Sequence, residues 1–244
     1  MKYDLNYTFV TSDWHFRDWM GSGGLIAEST EPVMAIEDEK GVAKAGPRAV
    51  VLAGLTRLRR FCCNPSLVVG GEGLVSAKLE ALAELMAELR DGGHRALVFS
   101  QFTDYLDIVR KMVEGKGWSM QYLDGATPLK ERGRRVDAFQ NGEGDFFLIS
   151  LKAGGTRLNL TAADYVIILD PWWNPAVENQ AADRAHRIGQ RRPVTIYRLI
   201  AKDTVEEQVL ALHNTKRLLA ADMLDDTGSS SLSSEMLMGL LKGE

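Results

Sequence analysis

The sequence predicts an α/β lobe with a mostly parallel sheet and helices on both of its faces. Three observations carry this expectation. Short apolar runs at 96–99, 120–123, 146–149, 165–169 and 194–199 read as strands. Helix-like stretches at 104–113, 129–139 and 177–187 stand between them, and strand and helix in turn imply parallel pairing. The chain has 244 residues, 45% hydrophobic and 25% charged, room for one large or two small domains around a packed core. This composition excludes collagen-like, disordered and transmembrane classes. No apolar run approaches the ~20 residues that cross a bilayer. Asp4, Asp13 and His15 break the order of a signal peptide, so a cytoplasmic protein is expected.

Residues 1–48 mix aromatic and polar positions around Gly21, Gly23 and Gly24 without sustained periodicity. They are assigned no structure and are expected to be a disordered or remnant segment. A helical lead-in is expected over 49–93. Val51, Leu55, Leu58 and Phe61 recur at helical spacing over 49–61, and Asn64-Pro65 ends that helix. Ser76 is placed to cap a second helix, whose stripe is Leu79, Leu82, Leu85, Met86 and Leu89 and whose stop is Gly92-Gly93. The main lobe is expected over 94–224. Its last helix starts near Thr204, where Thr204-Val205-Glu206-Glu207 offers a capping box and Val205, Val209, Leu212 and Leu219 mark the buried side. Residues 225–244 read as an acidic, Ser-rich linker and a short terminal helix.

The net charge of −4 argues against a blanket nucleic-acid binder, so any DNA contact must be local. Between Ala176 and Ile200 five arginines stand against two acids. Cys62 and Cys63 are adjacent, ill suited to an ordinary disulfide, and read as reduced thiols. The four histidines are scattered and no CxxC or HxxxH pattern occurs, so a zinc site is not expected.

The most informative stretch is 180–190. On a helix Gln180, Arg184 and Arg187 project from one face, and two guanidinium groups so placed suit a phosphate. Spacing alone fits a solvated basic helix, with Asp183 and Arg187 paired, at least as well. Upstream, Lys152, Gly154, Gly155 and Thr156 follow a strand, where paired glycines let backbone N–H groups approach a phosphate. A tight structural turn is an equal reading. Three further segments, 99–103, 123–128 and 170–175, sit at strand ends, where parallel sheets place ligands. Helix capping by Thr103, Thr127 or Asn174 is the simpler reading of each alone. Trp172 and Trp173 read as core or interface. The P-loop pattern G-x-x-x-x-G-K-[ST] is absent from the sequence.

In this order the segments resemble the C-terminal lobe of the SWI/SNF-related ATPases, a branch of helicase superfamily two. RALVFSQFTDYL (95–106) is similar to that family's motif four, and YLDGATP (122–128) to its next DNA-contacting motif. ISLKAGGTRLNLTAADYVIILDPWWNPAVE (149–178) resembles motif five and its extension, QAADRAHRIGQ (180–190) motif six, and LTRLRRFCCNPSLV (55–68) the segment leading into the lobe. The resemblance covers roughly 49–241 and implies a RecA-like three-layer lobe closed by a C-terminal brace helix.

It also implies an ATP-driven translocase on duplex DNA, using ATP with Mg²⁺ held by a P-loop-bearing first lobe. This lobe would supply Arg184 and Arg187 as arginine fingers, with Gln180 beside them. Ser100, Gln101, Gly125, Thr127, Lys152, Gly154, Gly155 and Thr156 would follow one DNA strand. Arg157 stands where the family usually has glycine beside the nucleotide, with Asn159 facing the ribose. The expectation is a half-enzyme that needs its first lobe in trans. The rival readings are a split enzyme, a non-enzymatic DNA-binding or interaction module, and an inactive fragment.

Overall fold

The computed structural model describes residues 7–12, 47–69, 76–153, 158–172, 184–185 and 193–211, the first segment and residues 47–51 as backbone only. The helix expected over 177–187 lies outside the described residues except for Arg184 and Ala185, which are in a turn, and the tail at 225–244 lies outside them. Among those described, no helix is long and apolar enough to cross a membrane.

Among the described residues six strands form one sheet in the order β1-β6-β5-β2-β4-β3. They are β1 (Tyr7–Ser12), β2 (Ala96–Ser100), β3 (Met120–Leu123), β4 (Phe146–Ser150), β5 (Tyr165–Ile168) and β6 (Thr195–Ala201), and every neighbouring pair is parallel. The lead-in comprises α1 (Pro47–Cys63), the single turn α2 (Ser66–Val69) and α3 (Ala77–Asp91). Within the lobe lie α4 (Thr103–Gly115) and α5 (Leu129–Gln140), and a helix α6 begins at 205 and is described to 211. One segment corrects the sequence reading. Tyr7–Ser12, given no structure there, is an edge strand on β6, with Tyr7 paired to Ile196 and Ser12 to Ala201.

Strand alternation divides the core in two. Leu97 and Phe99 of β2 and Phe147 and Ile149 of β4 face one layer, while Ala96, Val98, Phe146 and Leu148 face the other. The first layer is completed by Phe139 and Val136 of α5 and by Leu158, Leu160 and Ala163. The second is completed by Leu82, Leu85, Met86 and Leu89 of α3 and by Tyr105, Leu106, Val109 and Val113 of α4. Burial on both faces explains why these strands are continuous apolar runs. α4 carries the chain past β4 to the edge strand β3, and α5 brings it back. Crossovers in opposite directions, each right-handed, fall on opposite faces.

α3 shows how a local signal sets an element. The Ser76 Oγ accepts the Leu79 N–H at 3.2 Å and donates to the Cys63 carbonyl at 2.9 Å, capping α3 and tying it to α1. Gly93 ends the helix at φ 70°, a conformation that costs glycine little. At α6 the capping box is displaced by one residue. The Glu207 carboxylate takes the N–H of Asp203, and the Thr204 hydroxyl accepts from Glu206 N–H and donates to Ala201 O.

Because Ser76 serves two partners, Ser76→Ala should cost about 1–2 kcal/mol, the loss of a helix cap, in urea unfolding. An unchanged midpoint would contradict the capping geometry.

Candidate nucleic-acid and nucleotide interface

With every strand parallel, the segments leaving β2, β3, β4 and β5 emerge at one end of the sheet. Register keeps them level: Ser100 pairs with Ser150, Leu123 with Ile149, and Phe99 with Ile168. The chain therefore gathers 100–103, 124–128, 151–153 and 169–172 without any one segment being long.

Beneath this end lie two ion pairs. Asp170 is fully buried, and its carboxylate accepts the Gln101 N–H at 3.2 Å. Arg59 of α1 is 1% exposed; its Nη2 lies 3.8 Å from Asp170 and also donates to the Pro171 carbonyl, while its Nη1 donates to Gln101 Oε1 at 3.2 Å. Lys78 of α3 donates to both oxygens of the fully buried Glu206, at 2.7 and 2.5 Å, and to the Leu169 carbonyl at 3.0 Å. Glu206 also accepts the Ala201 N–H at 2.8 Å. Burial pushes the Asp170 carboxyl up, against the opposing pull of Arg59 and the Ser100 and Gln101 donors. Burial raises Glu206 too, against Lys78 and the Ala201 N–H. On Lys78 burial works downward, but Glu206 and the thiols of Cys63 and Cys62 outweigh it and the ammonium ends above its usual value. The ammonium donates to both carboxylate oxygens, and the Ala201 N–H supplies a further donor.

The loop after β3 is shaped by Asp124. Its carboxylate accepts the N–H groups of Ala126 and Thr127, at 3.0 and 2.9 Å, and the Thr127 hydroxyl at 2.8 Å. Thr127 is buried, and its hydroxyl accepts the Asp124 N–H rather than capping α5, whose N-cap is Pro128. Thr103 is likewise no cap: it is the first residue of α4, with Phe102 before it. Gly125 is exposed at the tip. After β4, Lys152 is exposed while Ala153 is buried, its N–H on the Ser150 hydroxyl at 3.2 Å. Arg132 in the first turn of α5 joins the two loops through the carbonyls of Asp124, Gly125, Thr127 and Ala153.

Of the remaining expected residues, Ser100 is fully buried and its hydroxyl accepts the Phe102 N–H at 3.0 Å, beneath the surface. Gln101 is half-buried and Asn159 is exposed between the buried Leu158 and Leu160. Arg184 is 6% exposed, with its guanidinium 5.4 Å from the Phe99 ring centroid and its carbonyl accepting the Leu160 N–H. Trp172 packs against the core, in keeping with its reading. Gly154, Gly155, Thr156, Arg157, Trp173, Asn174, Gln180 and Arg187 lie outside the described residues.

Residues 77–189 match the helicase conserved C-terminal domain. The Sulfolobus solfataricus SWI2/SNF2 ATPase C-terminal domain superposes with a TM-score of 0.70 at 30% identity, over 97% of this chain and 98% of that one. The chain belongs to the SWI2/SNF2 ATPase family. A Bacillus subtilis (strain 168) protein described as a putative ATP-dependent helicase/translocase, YwqA, is 41% identical over 178 residues, 70% of this chain and 19% of its own length. The S. solfataricus SWI2/SNF2 ATPase core in complex with dsDNA matches with a TM-score of 0.63 and 34% identity, over 75% of this chain and 39% of that one. The chain spans about a fifth of the length of the curated relatives it matches.

In this SWI2/SNF2 lobe Arg59 and Glu206 fall outside the matched domain, yet each closes an ion pair at its site end. Sequence reasoning missed Arg59, Lys78, Asp170, Glu206 and Arg132. A signal existed for two of them. Arg59 continues the buried Leu55–Cys63 stripe at spacing i+4, and Lys78 begins the stripe of Leu82, Leu85 and Leu89. A charge in register with an apolar stripe is a buried charge seeking a partner.

The same buried region sets an alkaline limit. Burial pushes the Cys62 thiol up to about 12 and raises Cys63 and the Tyr105 hydroxyl. In the unfolded chain the thiols lose protons near 9.0, whereas the folded lobe keeps them, so the unfolded state binds fewer protons and stability falls as pH rises. Lys78, raised above 10.5, has the same sign. Between pH 8 and 10 the Cys62 thiol should cost about 1 kcal/mol of unfolding free energy, with Cys63 acting in the same direction, and Cys62→Ala should make the fall shallower. A flat stability profile over that range would contradict their burial.

Proposed function

We propose that this chain is the DNA-tracking and arginine-finger half of an ATP-driven duplex-DNA translocase, working with a P-loop-bearing first lobe. The observation that carries the reading is the gathering of Gly125 and Lys152, both exposed, at one end of a parallel sheet, over a floor of buried polar residues. A family relative whose core is in complex with dsDNA supports it.

Within this reading the exposed Lys152 and the backbone at Gly125 meet successive phosphates of one strand, with Gln101 beside them, and the family resemblance assigns Gly154, Gly155 and Thr156 to the same strand. Ser100 and Thr127, whose hydroxyls are engaged within the lobe, support the track from beneath. Phosphate contacts carry no sequence information, so binding is general for duplex DNA. Toward the nucleotide, the exposed Asn159 suits a ribose hydroxyl, and the family resemblance assigns Arg157 and Gln180 to the same nucleotide. Arg187 is the group that reaches a phosphate of the bound ATP, neutralising charge as it develops. Arg184, stacked on Phe99, contributes from a fixed position. ATP supplies the driving reaction when bound between lobes. Mg²⁺ is assigned to the first lobe, as the family resemblance implies. Closing and opening of the two lobes would move the track along the strand.

The test is duplex binding by fluorescence anisotropy across a salt series. Lys152→Ala should weaken binding alike for unrelated sequences and reduce the slope of log affinity against log salt by about 1, as loss of one phosphate contact requires. An unchanged slope and affinity would remove Lys152 from the track.

A further inference from the structure

Arg132 stands where a cation is least welcome. It lies in the first turn of α5, near the positive end of the helix dipole, and its own N–H bonds the Pro128 carbonyl at 3.0 Å. Yet its side chain is half-buried and, among the described residues, ordered by carbonyl oxygens: Nε to Thr127 at 2.8 Å, Nη2 to Gly125 at 3.1 Å and to Asp124 at 3.2 Å, and Nη1 to Ala153 at 3.4 Å. Three of these carbonyls belong to the loop after β3 and one to the loop after β4. The first loop carries Gly125, and in the second the exposed Lys152 precedes Ala153 directly.

We infer that Arg132 is the positioning residue that sets the spacing between the Gly125 and Lys152 loops, and so between two phosphate contacts on one DNA strand. The inference rests on the DNA-tracking reading above and adds to it the residue that fixes its geometry. Planarity is what qualifies arginine. Its fork reaches acceptors on two loops at once in fixed directions, whereas a lysine ammonium keeps the charge but presents it at a single point. Arg132 touches neither loop's outer face through these bonds; it acts through Gly125 and Lys152.

The experiment separates geometry from charge. Arg132→Lys, Arg132→Gln and Lys152→Ala are made in the full chain, alone and in combination, and titrated with a 20-base-pair duplex, with thermal melting as the folding control. Because it leaves the carbonyl bridge unmade, Arg132→Lys should weaken binding by about tenfold despite its retained charge, and Arg132→Gln by a similar factor, as loss of charge-assisted hydrogen bonds implies. In the Arg132→Lys background Lys152→Ala should cost clearly less than in the unsubstituted chain, since a misplaced lysine has less to lose. Full rescue of binding by Arg132→Lys would overturn the inference, as would a Lys152→Ala effect of equal size in both backgrounds. Failure of the unsubstituted chain to bind duplex DNA would overturn the DNA-tracking reading along with it. Binding that Arg132→Lys leaves intact overturns this inference alone.

Discussion

Arg59 with Asp170 and Lys78 with Glu206 are ion pairs almost without access to water, and the site end of the lobe is organised around keeping them paired. Removing a carboxylate or ammonium from water costs several kcal/mol per ion, and a buried pair that loses one partner leaves that cost uncompensated. Each charge here therefore dictates where its neighbours go. Asp170 needs the α1 guanidinium and the Gln101 N–H; Glu206 needs the α3 ammonium and the Ala201 N–H. The Leu169 and Pro171 carbonyls, leaving β5, are taken by the same two cations. Hydrophobic layers alone would let α1, α3 and α6 slide along the sheet, whereas these bonds give each one a fixed place.

The consequence for the site is a rigid floor. Gln101 is fixed by its backbone to Asp170 and by its side chain to Arg59, Ser100 holds the turn into α4, and Arg132 ties the loops after β3 and β4. Short loops on a stiff sheet can present groups to a polymer at fixed intervals, which the proposed DNA track would need. The ion pairs also bring segments from outside the matched helicase domain, α1 and α6, into that floor.

Much of the fold was legible because its strands obey a strong physical rule. β2 and β4 are apolar runs buried along their whole length, since both faces are covered, and the observed ends of β2 to β6 differ from the expected ones by at most two residues. The Ser76 cap and the Gly92-Gly93 stop were readable because they are local. Edge strand β1 was not: Tyr7–Ser12 is a strand by virtue of β6, nearly two hundred residues away, and an edge strand need not alternate. Thr127 looked like a cap because the sequence places it before a helix, but Asp124 offers its hydroxyl a nearer partner. The paired charges were hidden for the same reason as β1. Arg59 and Asp170, or Lys78 and Glu206, meet only after the sheet is built, and only their register with apolar stripes betrays them beforehand. The family resemblance supplied what spacing could not, the order of segments that marks this lobe among parallel α/β folds.

In the proposed function this lobe completes an ATP site by presenting a cation to a nucleotide held on another lobe. The direct measurement is ATP hydrolysis by the purified chain mixed with a separately expressed P-loop lobe of a SWI2/SNF2 ATPase, with and without duplex DNA. The account predicts DNA-stimulated hydrolysis in the mixture, absent from either component, and its loss by about a thousandfold with Arg187→Ala, the scale of an arginine finger. Hydrolysis that Arg187→Ala leaves intact, or none at all in a mixture of folded lobes, would contradict the claim and leave a DNA-binding lobe without a catalytic half-site.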